Sequence, residues 1–317
     1  MPGDAPSQSH VVPAAAGMSR LAWAPGFSVG LGAWLALLVA LPVSASAAET
    51  SPTVHLTPGR VAQGGIFTLE IEWPGPIRAL RIRVGQRQTL AVAPGGQTRT
   101  TVLIGIDLEE PPGSLEVRAD AEDLAGRALT ARGTLLVRDA GYPIQRLTVP
   151  RTFTDLDAVT LERVNREKAV LDRLWEGQTG TRYWRGPFRP PLEEAGTGSG
   201  FGVRRIINGE PRAPHTGLDF TAAEGTPVLA ANAGAVAAVE DQFFAGRAVI
   251  LDHGLGLYTM YFHLLESLVK PGQQVERGER IGLVGKTGRA TGAHLHWGAR
   301  LHGARIDPRE LQKARLE

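Results

Sequence analysis

Four histidines and one aspartate fall in three short motifs late in the 317-residue sequence. His215 and Asp219 lie in PHTGLDF (214–220), His263 in YFHL (261–264), and His294 and His296 in GAHLHWG (292–298). Two histidines and a carboxylate are a ligand set that catalytic zinc takes while a fourth position stays open for water. The other two histidines are then available to move a proton or to stabilise a developing negative charge.

The spacing supports a shared cavity. Side chains two apart on a β-strand point to one face, so His294 and His296 can face the same space while Leu295 faces a core. His215 and Asp219 flank Gly217, which suits a turn or strand entry that turns both groups toward one metal. No His-Glu-x-x-His helix occurs anywhere, so the base that activates water must come from elsewhere, and His263 or His294 is the natural candidate. His253 and His302 match on residue type alone and read as structural or exposed. The chain has no cysteine, so thiols supply neither ligand nor nucleophile.

From about Ser199 to Pro308 the sequence resembles the M23 (lysostaphin- or LytM-type) zinc metallopeptidases. The resemblance is carried by SGFGVRR (199–205), HTGLD (215–219), YFHL (261–264), VGKTGRATGAHLHW (284–297) and IDP (306–308), in the family's order. It implies that His215, Asp219 and His296 bind one Zn2+ per chain, with His263 and His294 as the catalytic histidines. It also implies a peptidoglycan peptide as substrate, with the D-alanyl–diamino-acid cross-link expected over a glycine bridge. All five positions are filled. Two other readings stay open: a non-catalytic cell-wall regulator that activates another hydrolase, and a zinc peptidase acting on extracellular proteins.

Composition limits the alternatives. Lys+Arg of 34 against Asp+Glu of 32 gives a net charge of +2, and no basic run interleaved with aromatics suggests nucleic-acid binding. Hydrophobic residues make up 43%, enough for packed cores. An apolar stretch from Phe27 to Leu41 precedes Ala45-Ser-Ala47, which reads as a signal peptide over residues 1–47 with cleavage before Ala48. Met18 is the expected start, and an uncleaved N-terminal anchor is the competing reading. The expected location is therefore exported: periplasm, cell envelope or extracellular, with no stable membrane span after cleavage. No cysteine follows the apolar run, which excludes lipid attachment there.

The elements that must position these groups read as mainly β. Residues 48–141 predict an immunoglobulin-like β-sandwich. Its strands lie near Phe67–Trp73, Ala79–Val84, Arg99–Ile104, Ser114–Arg118 and Gly133–Arg138, separated by Gly/Pro turns such as Pro74-Gly75-Pro76. Residues 142–195 predict a helical linker, with the helix over Thr154–Trp175 capped by Asp155 or Thr154. The aromatics Tyr183, Trp184 and Phe188 imply that 177–198 packs on a domain and borders or covers a groove. Residues 196–317 predict an antiparallel-sheet metallopeptidase domain with an open groove. There Gly217, Gly285, Gly288 and Gly292 would let a substrate backbone approach closely. A regulatory protein partner is possible for the N-terminal domain. Arg204, Asn232, Thr291 and Tyr261 are further candidates for orienting groups or lining the groove, with packing and turn roles competing.

Overall fold

A computed structural model of the chain describes residues 51–89, 96–148, 155–177 and 179–313. The expected signal segment, and Thr154 as a helix cap, lie outside the described residues. No helix among the described residues is long and apolar enough to cross a membrane.

The N-terminal region is one seven-stranded sheet. It contains β1 (Thr53–Thr57), β2 (Arg60–Ala62), β3 (Ile66–Val84), β4 (Arg87–Thr89), β5 (Gln97–Gly105), β6 (Gly113–Asp123) and β7 (Ala128–Arg138). The expected turn at Pro74-Gly75-Pro76 does not form. The two strands expected around it are one 19-residue strand, β3. Its first half pairs with β1 and β5, and its second half with β6. Burial follows odd positions from Phe67 to Ile77, then even positions from Leu80 to Val84. A register shift between Ile77 and Ala79 accounts for the change, because one extra residue moves every later side chain to the other face. Proline is tolerated here because the ladder is already interrupted. The two halves of β3 thus serve two stretches of sheet around one core that includes Phe67, Ile71, Ile82, Ile104, Val117 and Leu135.

Next come β8 (Ile144–Leu147) and α1 (Ala158–Glu176). The helix starts later than expected, because Asp157 rather than Asp155 caps it and accepts from the Thr160 N–H at 2.7 Å. Its apolar contacts come from the C-terminal turns, through Leu171, Leu174 and Trp175, while Glu167 in the middle accepts from the Phe243 N–H at 2.9 Å. Val159 is 76% exposed, so the apolar period overstates the buried part of this helix.

The remaining strands are β9 (Gly196–Thr197), β10 (Arg204–Ile207), β11 (Glu210–Arg212), β12 (Gly217–Thr221), β13 (Pro227–Leu229) and β14 (Gly234–Gln242). After them follow β15 (Gly246–Gly254), β16 (Leu257–Ser267), β17 (Gln274–Val275), β18 (Arg280–Val284), β19 (His294–Leu301) and β20 (Ala304–Ile306), then the short helix α2 (Pro308–Lys313). Ten of these strands form an antiparallel sheet in the order β17-β14-β15-β16-β19-β12-β9, with β13, β18 and β20 attached. A small sheet β11-β10-β8 stands beside it.

The large sheet has two differently used faces. Leu295, Trp297, Tyr261 and Leu251 point into a core that also takes Trp184, Phe188 and Leu192 from the segment after α1, and Ile66 and Leu108 from the N-terminal region. That segment therefore packs, as its aromatics imply. Its hydrogen bonds run to Ala231, His253 and Leu311, and at its end the Gly198 N–H donates to Asp219 O at 2.9 Å, beside the histidine site. The opposite face carries His294 and His296, and farther along it Met260, Tyr258 and Arg300, opposite Gly298 and one another in register. Here α1 packs: Trp175 meets Tyr258 edge-on at 5.3 Å, and the Arg300 guanidinium lies 4.9 Å from the Trp175 ring centre. Four residues of β19 separate His296 from Arg300, about 13 Å. The helix thus closes one end of the face on which the site lies.

The N-terminal sheet is tied to the β19–β20 hairpin by Asp107. Its carboxylate accepts from Arg305 Nη2 at 2.6 Å, Arg305 Nε at 3.1 Å and the Arg305 backbone N–H at 2.9 Å. The Asp307 N–H donates to Gly64 O at 2.8 Å nearby.

Candidate metal centre

Three adjacent strands, β16, β19 and β12, bring the five residues together. Strand β19 lies in the middle, with Asp219 on β12 opposite His296 and Phe262 on β16 opposite His296 from the other side. The Phe262 ring stacks on the His296 ring, with centres 5.3 Å apart and planes within 7°. His215 sits just before β12, its backbone N–H bonded to Val203 O. Close pairing of β12 and β19 depends on Gly217. A Cβ there would stand 2.5 Å from Trp297 O and 2.6 Å from His296 Nε2.

His215 Nε2, Asp219 Oδ1 and His296 Nδ1 lie 3.0 Å from one another. His215 Nδ1 faces Gly200 O at 2.8 Å, and a carbonyl only accepts, so Nδ1 carries the hydrogen. In the neutral imidazole, Nε2 then presents a lone pair. Nε2 and the carboxylate oxygen therefore converge as acceptors, with room for one hydrogen at most on His296 Nδ1. Such a convergence of lone pairs suits a cation. The three residues also form a metal-compatible group with ligand atoms within 4.8 Å of one another. Burial raises the Asp219 pKa, but hydrogen bonds to His215 and His296 outweigh it and hold the carboxyl well below the usual range. Burial lowers that of His296, against the opposing pull of Asp219.

His294 and His263 stand beside this group. His294 Nδ1 donates to Gly292 O at 2.9 Å, and its Nε2 lies 4.0 Å from Asp219 Oδ1. His263 Nδ1 donates to Thr287 O at 2.9 Å, and its ring centre is 4.6 Å from that of His294. Burial pushes His263 down to about 4, reinforced by the neighbouring histidines, so its ring is neutral near pH 7. Its backbone is left-handed, with φ of 64°, a conformation that costs a non-glycine residue about 1 kcal/mol. The β15–β16 register shifts between Val249 and Arg247, opposite Phe262 and His263. Strand β16 is thus irregular where His263 enters the site, and simple alternation with Tyr261 does not hold. Tyr261 is fully buried, and its hydroxyl accepts from the Ala231 N–H at 2.9 Å.

The other candidates resolve as structural. Buried His253 bonds to Ala233 O and Thr259 Oγ1, both at 2.7 Å. His302 faces Leu103 O at 3.2 Å, on the N-terminal sheet. Asn232 clamps Arg185 and Gly186 through its amide. Exposed Arg204 opens β10, its N–H on Pro143 O, and the side-chain partners of Asp219 are histidines instead. Thr291 is exposed beside the site. Gly217, Gly285 and Gly288 admit neighbouring parts of the chain, not a substrate, whereas a Cβ at Gly292 would meet nothing within 4 Å. Sequence reasoning missed the carbonyls of Gly200, Thr287 and Gly292 that orient three of the histidines. Their only signal was membership of the motif stretches, since a carbonyl's direction has no residue type.

Residues 213–308 match the model of peptidase family M23. The chain carries an M23 peptidase domain. Over 135 residues it is 44% identical to a Haemophilus influenzae protein named as an uncharacterized metalloprotease, covering 41% of this chain and 28% of that one. Over 100 residues it is 47% identical to the peptidoglycan DD-endopeptidase ShyA of Vibrio cholerae, covering 31% of this chain and 23% of that one. The chain thus spans about a quarter of the length of these relatives. A crystal structure of a peptidase M23 from Pseudomonas aeruginosa superposes with a TM-score of 0.58 at 28% identity, covering 79% of this chain and 94% of that one. The likeness therefore extends beyond the M23 segment into the N-terminal region.

Proposed function

We propose that the chain is an exported zinc metalloendopeptidase that hydrolyses peptide cross-links of bacterial peptidoglycan. The observation that carries this reading is the convergence of His215 Nε2, Asp219 Oδ1 and His296 Nδ1, with His294 Nε2 4.0 Å from the same carboxylate oxygen. Those three side chains hold one Zn2+. When bound, zinc supplies Lewis acidity and brings the pKa of a coordinated water to about 7. The remaining chemistry belongs to the protein. His263 and His294 each donate Nδ1–H to a backbone carbonyl, so each keeps Nε2 as a proton acceptor in a fixed tautomer. One takes the proton of the attacking water; as an imidazolium it can return that proton to the leaving amine, while its neighbour orients the reacting groups.

The substrate reading is supported by the likeness to the peptidoglycan DD-endopeptidase ShyA and to the DD-carboxypeptidase/endopeptidase Mpg of Neisseria meningitidis, the latter 43% identical over 94 residues. Such a substrate lies outside the cytoplasmic membrane, which agrees with an exported chain in the periplasm or envelope. In this reading residues 48–141 form a β module, 142–195 link it and bound the groove through α1, and 196–317 do the chemistry. The test is mass spectrometry of fragments released from purified cross-linked peptidoglycan by the zinc-loaded chain and by its His296→Ala variant. Loss of cross-linked dimers with gain of matching monomers, in the wild type alone, is the expected result. Unchanged dimers with the wild type would overturn the proposal.

A further inference from the structure

His263 is held in a strained place by more than its own strand. Strand β16 carries one residue more than β15 between the pairs Val249–Tyr261 and Arg247–Leu264, and the surplus falls at Phe262 and His263. Such a bulge opens the ladder and re-aims a side chain. The left-handed φ of His263, 64°, belongs to this bulge, and a residue strained in this way persists only where its surroundings over-determine it. Its backbone N–H donates to Ala245 O at 2.8 Å, in the turn between β14 and β15. Its Nδ1 donates to Thr287 O at 2.9 Å, in the loop between β18 and β19. A ring oriented by a carbonyl is only as fixed as the loop that carries the carbonyl.

Thr287 fixes that loop with its side chain. The hydroxyl accepts from the Arg247 N–H at 2.9 Å and donates to Leu264 O at 2.8 Å. A hydroxyl can do both at once, because it has one hydrogen and two lone pairs. Arg247 and Leu264 are the cross-strand pair next to the surplus residue, so one hydroxyl spans the mouth of the bulge. Two further contacts press the loop on the same turn. The Arg289 N–H donates to Phe244 O at 3.0 Å, and the Arg289 guanidinium lies over the Phe244 ring at 4.2 Å. A Cβ at Gly246 would overlap the carbonyl carbon and the hydroxyl of Thr287, so turn and loop meet at backbone distance. The His263 ring held this way stands 4.6 Å from that of His294 and 6.2 Å from that of His296, centre to centre. The brace therefore acts on a group inside the site.

We infer that Thr287 is a positioning residue for hydrolysis. Its hydroxyl braces the β18–β19 loop across the bulge, so that its carbonyl holds His263 in the tautomer whose Nε2 takes up a proton. This rests on the endopeptidase reading, in which His263 takes part in proton transfer, and adds to it the group that keeps the ring ready. Without the hydroxyl, Leu264 O loses a donor, the Arg247 N–H loses an acceptor, and the carbonyl that faces His263 Nδ1 is no longer braced. An Nδ1 released from its acceptor lets the imidazole carry its hydrogen on either nitrogen, and the form with Nε2–H accepts no proton there.

The test compares Thr287→Val, which keeps the shape and removes the hydroxyl, with Thr287→Ser, which keeps the hydroxyl. In the zinc-free full chain, heteronuclear NMR of isotope-labelled histidine rings reads the His263 tautomer, with His263→Ala to assign the signal. The wild type and Thr287→Ser should show a single Nδ1–H form, and Thr287→Val a mixture. The zinc-loaded chain is then given a soluble cross-linked peptide dimer of peptidoglycan. Thr287→Val should lower kcat by about 10- to 100-fold with KM and bound zinc unchanged, the scale of a reacting group displaced by about 1 Å. Thr287→Ser should keep a kcat near that of the wild type. A Thr287→Val chain that is less stable in urea, yet keeps the wild-type kcat and a single His263 tautomer, would reduce the hydroxyl to a packing role and overturn the inference. So would an Nε2–H form in the wild type itself, a result that needs no variant to fold. Absence of hydrolysis by the wild type would remove the endopeptidase reading, and the His263 tautomer, read without zinc or substrate, would still decide whether the brace exists.

Discussion

Replacing Gly217 by alanine tests whether strand spacing sets the metal site. The added Cβ would stand 2.5 Å from Trp297 O, 2.6 Å from His296 Nε2 and 2.8 Å from His296 Cε1. Non-bonded heavy atoms rest near 3.5 Å, so β12 and β19 must separate by about 1 Å. One of the three contacts is backbone, which cannot rotate away. The other two belong to a His296 ring fixed between Asp219 and the stacked Phe262. Metal ligands tolerate about 0.2 Å before affinity suffers, and overpacking of this size costs about 1–3 kcal/mol. Gly217→Ala should therefore retain its fold but bind zinc at least tenfold more weakly, as read by competition with a chromophoric chelator and by circular dichroism. Gly292→Ala is the matched control, because its Cβ would meet nothing within 4 Å and both readouts should stay at wild-type values. A zinc affinity for Gly217→Ala within threefold of wild type would refute the argument that the glycine sets the ligand geometry.

Removing the side chains of His215, Asp219 or His296 should lower bound zinc and activity together, whereas His263→Ala or His294→Ala should abolish activity with zinc retained. Equal metal loss in all five, by atomic absorption after gel filtration, would contradict that division. Asp107→Ala should destabilise the chain by about 3 kcal/mol in urea unfolding. The lower part of the range for a broken buried ion pair applies, because Arg305 keeps Glu109 at 2.6 Å. His253 is buried and pushed down to about 4, so the folded state holds it neutral while the unfolded chain protonates near pH 6.5. Stability should fall as pH drops from 6.5 toward 4, by about 3 kcal/mol at most from this residue, and the fall should flatten in His253→Gln.

The N-terminal region shows where local sequence reading stopped. Proline and glycine at 74–76 signal a turn, but the chain passes through them in β3 because both flanking runs find partners in one sheet. The helix was legible as a helix, yet its start at Asp157 and its half-exposed apolar stripe depend on what it packs against. The residues after it were correctly read as packed, for a physical reason visible in the sequence: a segment rich in aromatics would leave too much apolar surface in water. Their burial in the main core also means that deleting residues 48–195 would remove Trp184, Phe188 and Leu192 from it.

The sequence by itself determined the chemistry. Histidine and carboxylate in the M23 motifs single out the candidate ligands, and the two-residue period puts His294 and His296 on one face whatever the rest of the chain does. Tertiary structure alone decided how those groups are poised. The irregular register of β16 turns His263 out of alternation with Tyr261, and carbonyls from three separate segments fix the tautomers of His215, His263 and His294. The pairing of β10 with β11 sets Arg205 against Arg212. Residue type encodes what a side chain can do, whereas its direction, neighbours and field arise only when distant segments pack.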